Sequence, residues 1–155
     1  MDFSLLANHE LDVLNQLISG KDCQEIAGDL NVTLKTIRKY TGNINKKLKG
    51  EGICRVIGTY HELNGYQKVT LPSDIRNMIM EQVAKGYSNK EIASSLGITA
   101  EEVRSRVYYF QRKWGPKNRR DLILQWIKYH NPDYEIRPLE YFIDREQNEK
   151  IRINQ

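Results

Sequence analysis

Apolar side chains recur every three or four residues along most of the chain, which is the spacing of a helix that buries one face. One stripe of this kind consists of Leu11, Leu14, Leu17 and Ile18. A second stripe consists of Ile75, Met78, Ile79 and Val83. The pattern predicts an all-α fold in which similar helices occur in both halves of the chain.

The chain also contains an internal repeat. Residues 20–33 align with residues 86–99 when the sequence is shifted by 66 positions, and both segments share a glycine, a Glu-Ile-Ala tripeptide, a leucine and a threonine. Because each repeat of a chain is one supersecondary unit, the alignment predicts that the same arrangement of helices occurs twice.

Each repeat marks the ends of its helices with the residue types that such ends require. A capping box starts one helix, a residue tolerant of left-handed backbone ends it, and a threonine caps the next. These residues are Asp22 with Glu25, Asn31 and Thr33 in the first copy, and Ser88 with Glu91, Gly97 and Thr99 in the second. The sequence therefore predicts a helix, a tight turn and a second helix in each copy, with the second helices over residues 33–49 and 99–114.

With an amphipathic helix before each pair and another after it, the pattern predicts two tandem four-helix helix-turn-helix domains, residues 1–65 and 66–130. The fourth helices are expected at residues 52–63 and 118–130, and Asn64–Thr70 forms a short link. Residues 131–155 form a C-terminal extension, in which Pro138 opens a short helix to about residue 147. The extension is too small to fold alone, so we expect it to pack on the second copy or, alternatively, to contact a partner.

The net charge of +4, from 24 basic and 20 acidic residues, conceals two basic stretches. Residues 35–49 carry six basic side chains and no acidic one, and residues 104–120 carry seven and none. Both stretches fall on or just after the second helix of a repeat. Acid-free basic runs are typical of a surface that binds a polyanion, although a helical bundle with a solvated charged face would also carry them.

The sequence offers no catalytic, metal or cofactor site. His9, His61 and His130 lack acidic or cysteine companions at ligand spacing, and Cys23 and Cys54 are too few for a disulfide framework. The chain also lacks a secretory signal and an apolar run of about 18 residues. These absences predict a cytoplasmic protein that is not an enzyme, has no cofactor and does not contact a membrane.

The first copy contains three motifs: Leu6-x-x-x-Glu10-x-x-Val13-Leu14, Gly20-x-x-x-x-Glu25-Ile26-Ala27 and Val32-Thr33-x-x-Thr36-Ile37-Arg38-x-Tyr40 with Asn43-Ile44-x-x-Lys47-Leu48. With these motifs, residues 5–63 resemble the LuxR/GerE-type DNA-binding domain, and residues 71–130 resemble a more divergent copy of it. The resemblance implies a four-helix fold that binds double-stranded DNA through its helix-turn-helix. Nothing resembles the sensory domains that are often attached to this module.

In the first copy, positions 35, 38, 39 and 42 lie on one surface of the helix, opposite the apolar residues. The resemblance implies that Arg38 contacts a base, that Lys39 at the neighbouring polar position contacts DNA, and that Thr36 contacts phosphate. Tyr40 replaces the family's usual histidine. An arginine can donate two hydrogen bonds to guanine, and we expect Lys35, Lys46 and Lys49 to contact phosphates.

In the second copy, the expected DNA contacts are Lys90, Arg104, Ser105, Tyr108 and Arg112. Glu101 and Glu102 occupy the positions of Lys35 and Thr36 and would repel phosphate. The second copy therefore either binds DNA in a shifted pose or serves as a docking surface.

Taken together, these features favour a sequence-specific transcription regulator of a bacterium or phage, a monomer or homodimer, with one recognition helix per copy in the major groove. One alternative is an adaptor that binds RNA polymerase or another protein, with a helix-turn-helix like that of the promoter-reading region of sigma factors and the C-terminal extension as a further contact. Another is a small subunit of a phage DNA-packaging machine.

Overall fold

The computed structural model describes residues 1–66 and 74–153, and in these ranges the chain forms nine α-helices, a short 3-10 helix at Phe3–Leu5 and no strand. The first copy contains α1 (Asn8–Ile18), α2 (Cys23–Asp29), α3 (Leu34–Lys47) and α4 (Ile53–Leu63). The second contains α5 (Ile75–Ala84), α6 (Asn89–Leu96), α7 (Ala100–Trp114) and α8 (Arg119–His130), and α9 (Leu139–Ile153) follows. The all-α prediction is confirmed.

The helix ends follow the predicted signals. The Asp22 carboxylate accepts hydrogen bonds from the backbone N–H groups of Gln24 and Glu25 at 2.8 Å each, and Glu25 accepts the N–H of Asp22 at 2.9 Å. The second copy repeats the box with Ser88 and Glu91. The turn residues Asn31 and Gly97 have φ values of 52° and 66°. The helix-turn-helix is therefore encoded locally in both copies.

Each copy has its own core. The first is built around Leu14, Ile26 and Ile37, and the second around Ile79, Val83, Ile92, Val103 and Trp126, all less than 2 % exposed. The expectation that Met78 belongs to the core is wrong, because Met78 is 44 % exposed and Met80 is buried instead. The reason is that α5 packs against both α7 and α8, which turns the face containing residues 79, 80 and 83 inward.

The two copies dock on each other through their fourth helices, which pack together. At the start of α8, the Asn118 amide donates to the Gly20 carbonyl at 3.0 Å and the Arg120 guanidinium to the Lys21 carbonyl at 3.2 Å. At the start of α4, the backbone of Cys54 and Arg55 lies directly against Gly86. The 66-residue shift relates Gly20 to Gly86 and α4 to α8, so the contacts are reciprocal, as in an interface with local two-fold symmetry.

Charged side chains reinforce this docking on both sides. Arg55 of α4 lies 2.8 Å from the Glu91 carboxylate, and its guanidinium stacks 3.5 Å from the centre of the Tyr87 ring. On the other side, Lys117 lies 2.6 Å from Glu25. Glu25 and Glu91 are the equivalent residues of the two capping boxes, so each box both starts a helix and receives a cation from the other copy.

The C-terminal extension packs mainly on the first copy, and the expectation that it packs on the second is wrong. Leu139 and Phe142 belong to the first core, where Phe142 lies against the rings of Phe3 and Tyr60 at 6.0 and 5.7 Å. The Tyr60 hydroxyl donates to the Arg137 carbonyl at 2.6 Å. The extension therefore completes the packing around Phe3 and Tyr60 in the first core. Helix α9 continues to Ile153 rather than ending near residue 147.

The structure describes only part of the predicted link between the two copies. The link at Asn64–Thr70 and the start of the second copy at Leu71 fall largely outside the described residues, and only Asn64, Gly65 and Tyr66 of that region are placed. Asn64 is buried and its amide donates to the Glu135 carbonyl at 2.7 Å. The division of the chain at residues 65 and 130 stays a prediction.

No helix in the described part of the chain is long and apolar enough to span a membrane.

His61 lies near the end of α4, in the interior of the protein. Its ring is fully buried, and Nδ1 lies 2.7 Å from the hydroxyl of Tyr134, a residue of the extension that also packs on the second core. Burial lowers the pKa of His61 from 6.5 to about 4. The histidine therefore holds the extension in place as a neutral ring.

This burial predicts a loss of stability in mild acid. Because the folded pKa is depressed, the stabilisation is complete above about pH 6.5 and is lost as the pH falls towards about 4. Lowering the pH from about 7 to about 4.5 should reduce the free energy of unfolding by about 2–3 kcal/mol through this group. Urea denaturation should show that His61→Gln removes this part of the pH dependence.

The wild type and His61→Gln are measured over the same pH range, so that every other titratable group is common to both proteins. Burial also lowers the pKa of His130, but that residue is present in every variant and cancels in the comparison. A wild-type pH profile parallel to that of His61→Gln would contradict the neutral, buried state of His61.

Candidate nucleic-acid interface

Helix α3 presents one apolar face and one basic face. Thr33 caps the helix by accepting the N–H of Thr36 at 3.2 Å, and Ile37 and Ile44 are fully buried against α1 and α2. The opposite face carries four exposed cationic side chains at predicted DNA-contacting positions: Lys35, Arg38, Lys39 and Lys46. Gly42 lies on the same face. The structure therefore brings these four cations to one surface, as the helical spacing predicts.

These cations are available for a ligand. Within residues 1–66 and 74–153, none of the four has an acidic side chain at ion-pair distance, whereas Lys47 lies 2.7 Å from the Glu10 carboxylate. Burial alone would raise the pKa of Glu10, but the hydrogen bonds from Lys47 and from the Ala7 N–H outweigh it, and the net pKa is lowered. Lys47 therefore anchors α3 on α1 and leaves the other cations of the helix uncompensated.

Two residues near this face have contacts within the protein. The Thr36 hydroxyl lies 2.9 Å from that of Thr33 and is half-buried at the first turn of α3. The Tyr40 ring is also half-buried and packs on His9, with 4.5 Å between ring centres. Tyr40 is thus part of the contact between α1 and α3.

Helix α7 occupies the place of α3 in the second copy, but its first turn is acidic. Glu102 accepts the N–H of Thr99 at 2.8 Å, and Glu101 lies 3.1 Å from Arg104. The hydrogen bonds from Thr99 lower the pKa of Glu102 and keep its carboxylate charged. The first turn of α7 therefore carries negative charge where α3 carries Lys35 and Thr36.

The remaining predicted contacts of the second copy lie at the surface but not on one helix. Arg104, Ser105, Tyr108 and Arg112 are exposed on α7, and Lys90 is exposed near the start of α6. The structure also places Tyr109 beside them, 47 % exposed, with the Arg76 guanidinium 5.3 Å from its ring centre. Tyr109 is not among the contacts predicted from the sequence, although its spacing of four residues from Ser105 and three from Arg112 puts it on the same stripe.

The basic stretch at residues 104–120 divides into two parts. Arg119 donates to the Tyr87 carbonyl at 2.7 Å and to the Asn89 side chain at 3.0 Å, while Lys117 and Arg120 contact the first copy. These three cations hold the copies and the helices of the second copy together. The cations left at the surface of α7 are Arg104, Arg106, Arg112 and Lys113.

Comparison with known proteins gives one result. The family described as bacterial regulatory proteins, luxR family (GerE) matches residues 4–58 and again residues 76–125, which together make up more than half of the chain. No curated protein and no solved structure matches significantly. The two matched segments contain α1–α3 with the start of α4, and α5–α7 with the start of α8, so both helix-turn-helix units lie inside them. The chain belongs to the LuxR family of DNA-binding bacterial regulatory proteins and contains two helix-turn-helix units of that family in tandem.

Proposed function

We propose that this protein is a sequence-specific transcription regulator in which one chain binds double-stranded DNA with two recognition helices. In this proposal α3 enters one major groove and α7 approaches the next. The main observation in support of two recognition helices is that the copies dock reciprocally through α4 and α8. This docking gives one chain the two-fold arrangement that a dimer has. Helix-turn-helix dimers bind half-sites about one DNA turn, roughly 34 Å, apart.

The two helices have unequal roles in this proposal. The first copy supplies Arg38 and Lys39 for bases and Lys35 and Lys46 for phosphates, all exposed and without an acidic partner in the described residues. The second copy supplies Lys90, Arg104, Ser105 and Arg112, but the acidic first turn of α7 opposes deep entry into the groove. We therefore expect most base selection to come from α3 and the contact of the second copy to be weaker.

The adaptor alternative has lost part of its support. It assigned the C-terminal extension to RNA polymerase or another protein, yet Leu139 and Phe142 are buried in the first core, and Tyr134 and Arg137 are bonded to α4. These residues of the extension thus have an intramolecular role.

The test is selection of a binding site from random duplex DNA by the purified chain, followed by two variants. Arg38→Ala should weaken binding to the selected site by about 1–3 kcal/mol and relax base choice at one position. Lys46→Ala should weaken all duplexes equally and make the log–log salt slope shallower by about 1, from about −5 if roughly six phosphates are contacted.

Lys128→Ala provides the matched control, because Lys128 is an exposed lysine near the end of α8 and away from α3. It should change neither base preference nor salt slope. Recovery of no preferred site, or an Arg38→Ala variant with unchanged base choice, would count against α3 as the reading helix.

A further inference from the structure

We propose that the outer face of α7 binds single-stranded DNA by stacking unpaired bases on Tyr108 and Tyr109. This inference builds on the proposed function, because it gives the second copy a different form of the same ligand. Duplex DNA and a single strand would then compete for one face of α7, with the single strand held more tightly.

The shape of α7 differs from that of α3 at equivalent positions. The 66-residue shift places Tyr108 and Tyr109 where α3 has Gly42 and Asn43. The two tyrosine side chains are 54 % and 47 % exposed, and with Ser105, Arg112 and Lys113 they line an open basin of about 540 Å³. A glycine allows the walls of a DNA groove to approach a recognition helix closely. Two projecting tyrosine rings prevent that approach and provide flat aromatic surfaces on which bases can stack.

The chemistry of the basin suits bases. Every nucleobase has a π face, and stacking on an aromatic side chain contributes about 1–3 kcal/mol per base without regard to sequence. Each ring also has a guanidinium nearby, with Arg112 5.9 Å from the centre of Tyr108 and Arg76 5.3 Å from that of Tyr109. These planar cations can stack on bases or bind the phosphates between them.

The charge along the helix favours the same ligand. Glu101 and Glu102 lie at the start of α7, which is the part of a recognition helix that normally contacts base edges. Arg112 lies roughly 15 Å further along, at a rise of about 1.5 Å per residue. A flexible strand can follow the cationic second half of the helix and avoid the acidic turn, whereas a rigid duplex brings phosphates to both.

A protein partner fits this face less well. The stripe combines Ser105, Arg112 and Lys113 with the two tyrosines and has no exposed aliphatic side chain. Tyrosine and arginine are common at protein–protein interfaces, but this stripe lacks the apolar centre of such an interface, and lysine and serine are depleted there. Aromatic rings surrounded by cations are, in contrast, the usual composition of a groove that binds a single strand.

The experiment measures anisotropy of a dye-labelled thymidine oligonucleotide, about 12 nucleotides long, on the full-length chain. The double variant Tyr108→Ala with Tyr109→Ala should weaken binding at least about tenfold, because two stacking contacts are lost. Tyr108→Phe with Tyr109→Phe should retain it, because the ring faces remain. Both pairs are at the surface, so circular dichroism should show unchanged folding.

Tyr141→Ala is the matched control, since Tyr141 is 43 % exposed and has Arg137 5.1 Å from its ring centre, but lies on α9. It should leave oligonucleotide binding unchanged. Arg38→Ala should lose site preference on duplex DNA and keep the oligonucleotide, which separates this inference from the proposed function. Undiminished oligonucleotide binding by the double alanine variant, or no oligonucleotide binding by the wild type, would overturn the proposal. If the double alanine variant lost more affinity for duplex DNA than for the oligonucleotide, the proposal would also be wrong, and α7 would bind duplex DNA instead.

Discussion

Gly58→Ala is expected to destabilise the protein by about 3 kcal/mol or more, at the upper end of what overpacking usually costs. Gly58 lies inside α4, where alanine would ordinarily be the better residue by about 1 kcal/mol. A Cβ at this position would overlap the Lys85 carbonyl and come within 2.9 Å of the Gly86 nitrogen. These atoms are backbone and cannot rotate away, so the two copies must separate or α4 must shift.

Chemical denaturation should be used to compare the free energies of unfolding of Gly58→Ala and Gly28→Ala. Gly28 lies in α2, and a Cβ there meets nothing within 4 Å, so this variant should be about 0.4–1 kcal/mol more stable than the wild type. The two substitutions are chemically identical and should have opposite signs. Equal stabilisation by both would mean that α4 does not dock on the turn between α5 and α6.

A second pair of glycines tests the reciprocal side of the docking. Gly20 and Gly86 have nearly the same backbone, with φ values of 86° and 84°, so alanine carries the same conformational cost at both. A Cβ at Gly86 would overlap the Cys54 carbonyl, whereas at Gly20 the nearest atom is the Asp121 carboxylate oxygen at 3.2 Å. Gly86→Ala should therefore be the more damaging of the two, and the difference measures the clash alone.

The parts of this fold that could be predicted are those encoded by neighbouring residues. The capping boxes, the left-handed turn residues and the exposed positions of α3 depend on contacts three or four residues apart, and the repeat gave each of them twice. The tertiary partners of a side chain could not be obtained in this way. His61 meets Tyr134, and Lys117 meets Glu25, across 73 and 92 residues, and no local pattern marks either pair.

The candidate site shows the same division. In residues 35–49, Lys35, Arg38, Lys39 and Lys46 are exposed, as the apolar positions of α3 indicate, but charge counting also included Lys47, which pairs with Glu10. In residues 104–120 the same counting included Arg119 and Arg120, whose guanidinium groups satisfy backbone carbonyls inside the protein. A count of charges contains no information on burial, so the cationic surface of the second copy is smaller than the sequence indicated.

The segment that follows the second copy completes the core of the first. Leu139 is fully buried and Phe142 is 9 % exposed, and both pack among residues of the first core. Within the described residues, five hydrogen bonds join the segment to α1, to α4 and to the residue that follows α4. Asn15 makes two of them, and Tyr60, His61 and Asn64 make one each. The family match ends at residue 125, so this part of the core lies outside the residues that match the family.

Leu139→Ala should accordingly lower the free energy of unfolding by about 2–5 kcal/mol, and Phe142→Ala by about 3–5 kcal/mol, as buried truncations of this size do. Amide hydrogen exchange should place the loss of protection in α1–α4, more than 70 residues away in sequence, and not in α5–α8. Because α3 belongs to the first copy, binding to the selected duplex site should fall as well, although Leu139 itself does not face DNA.

Ile151→Ala is the matched control, since Ile151 lies on the same helix but is 57 % exposed, and it should change stability by less than about 0.5 kcal/mol. A loss of protection spread evenly over α5–α8 would show that the extension belongs to the second copy after all. Protection lost from α1–α4 alone would instead mean that the fold of the first helix-turn-helix unit depends on a segment beyond the end of the second.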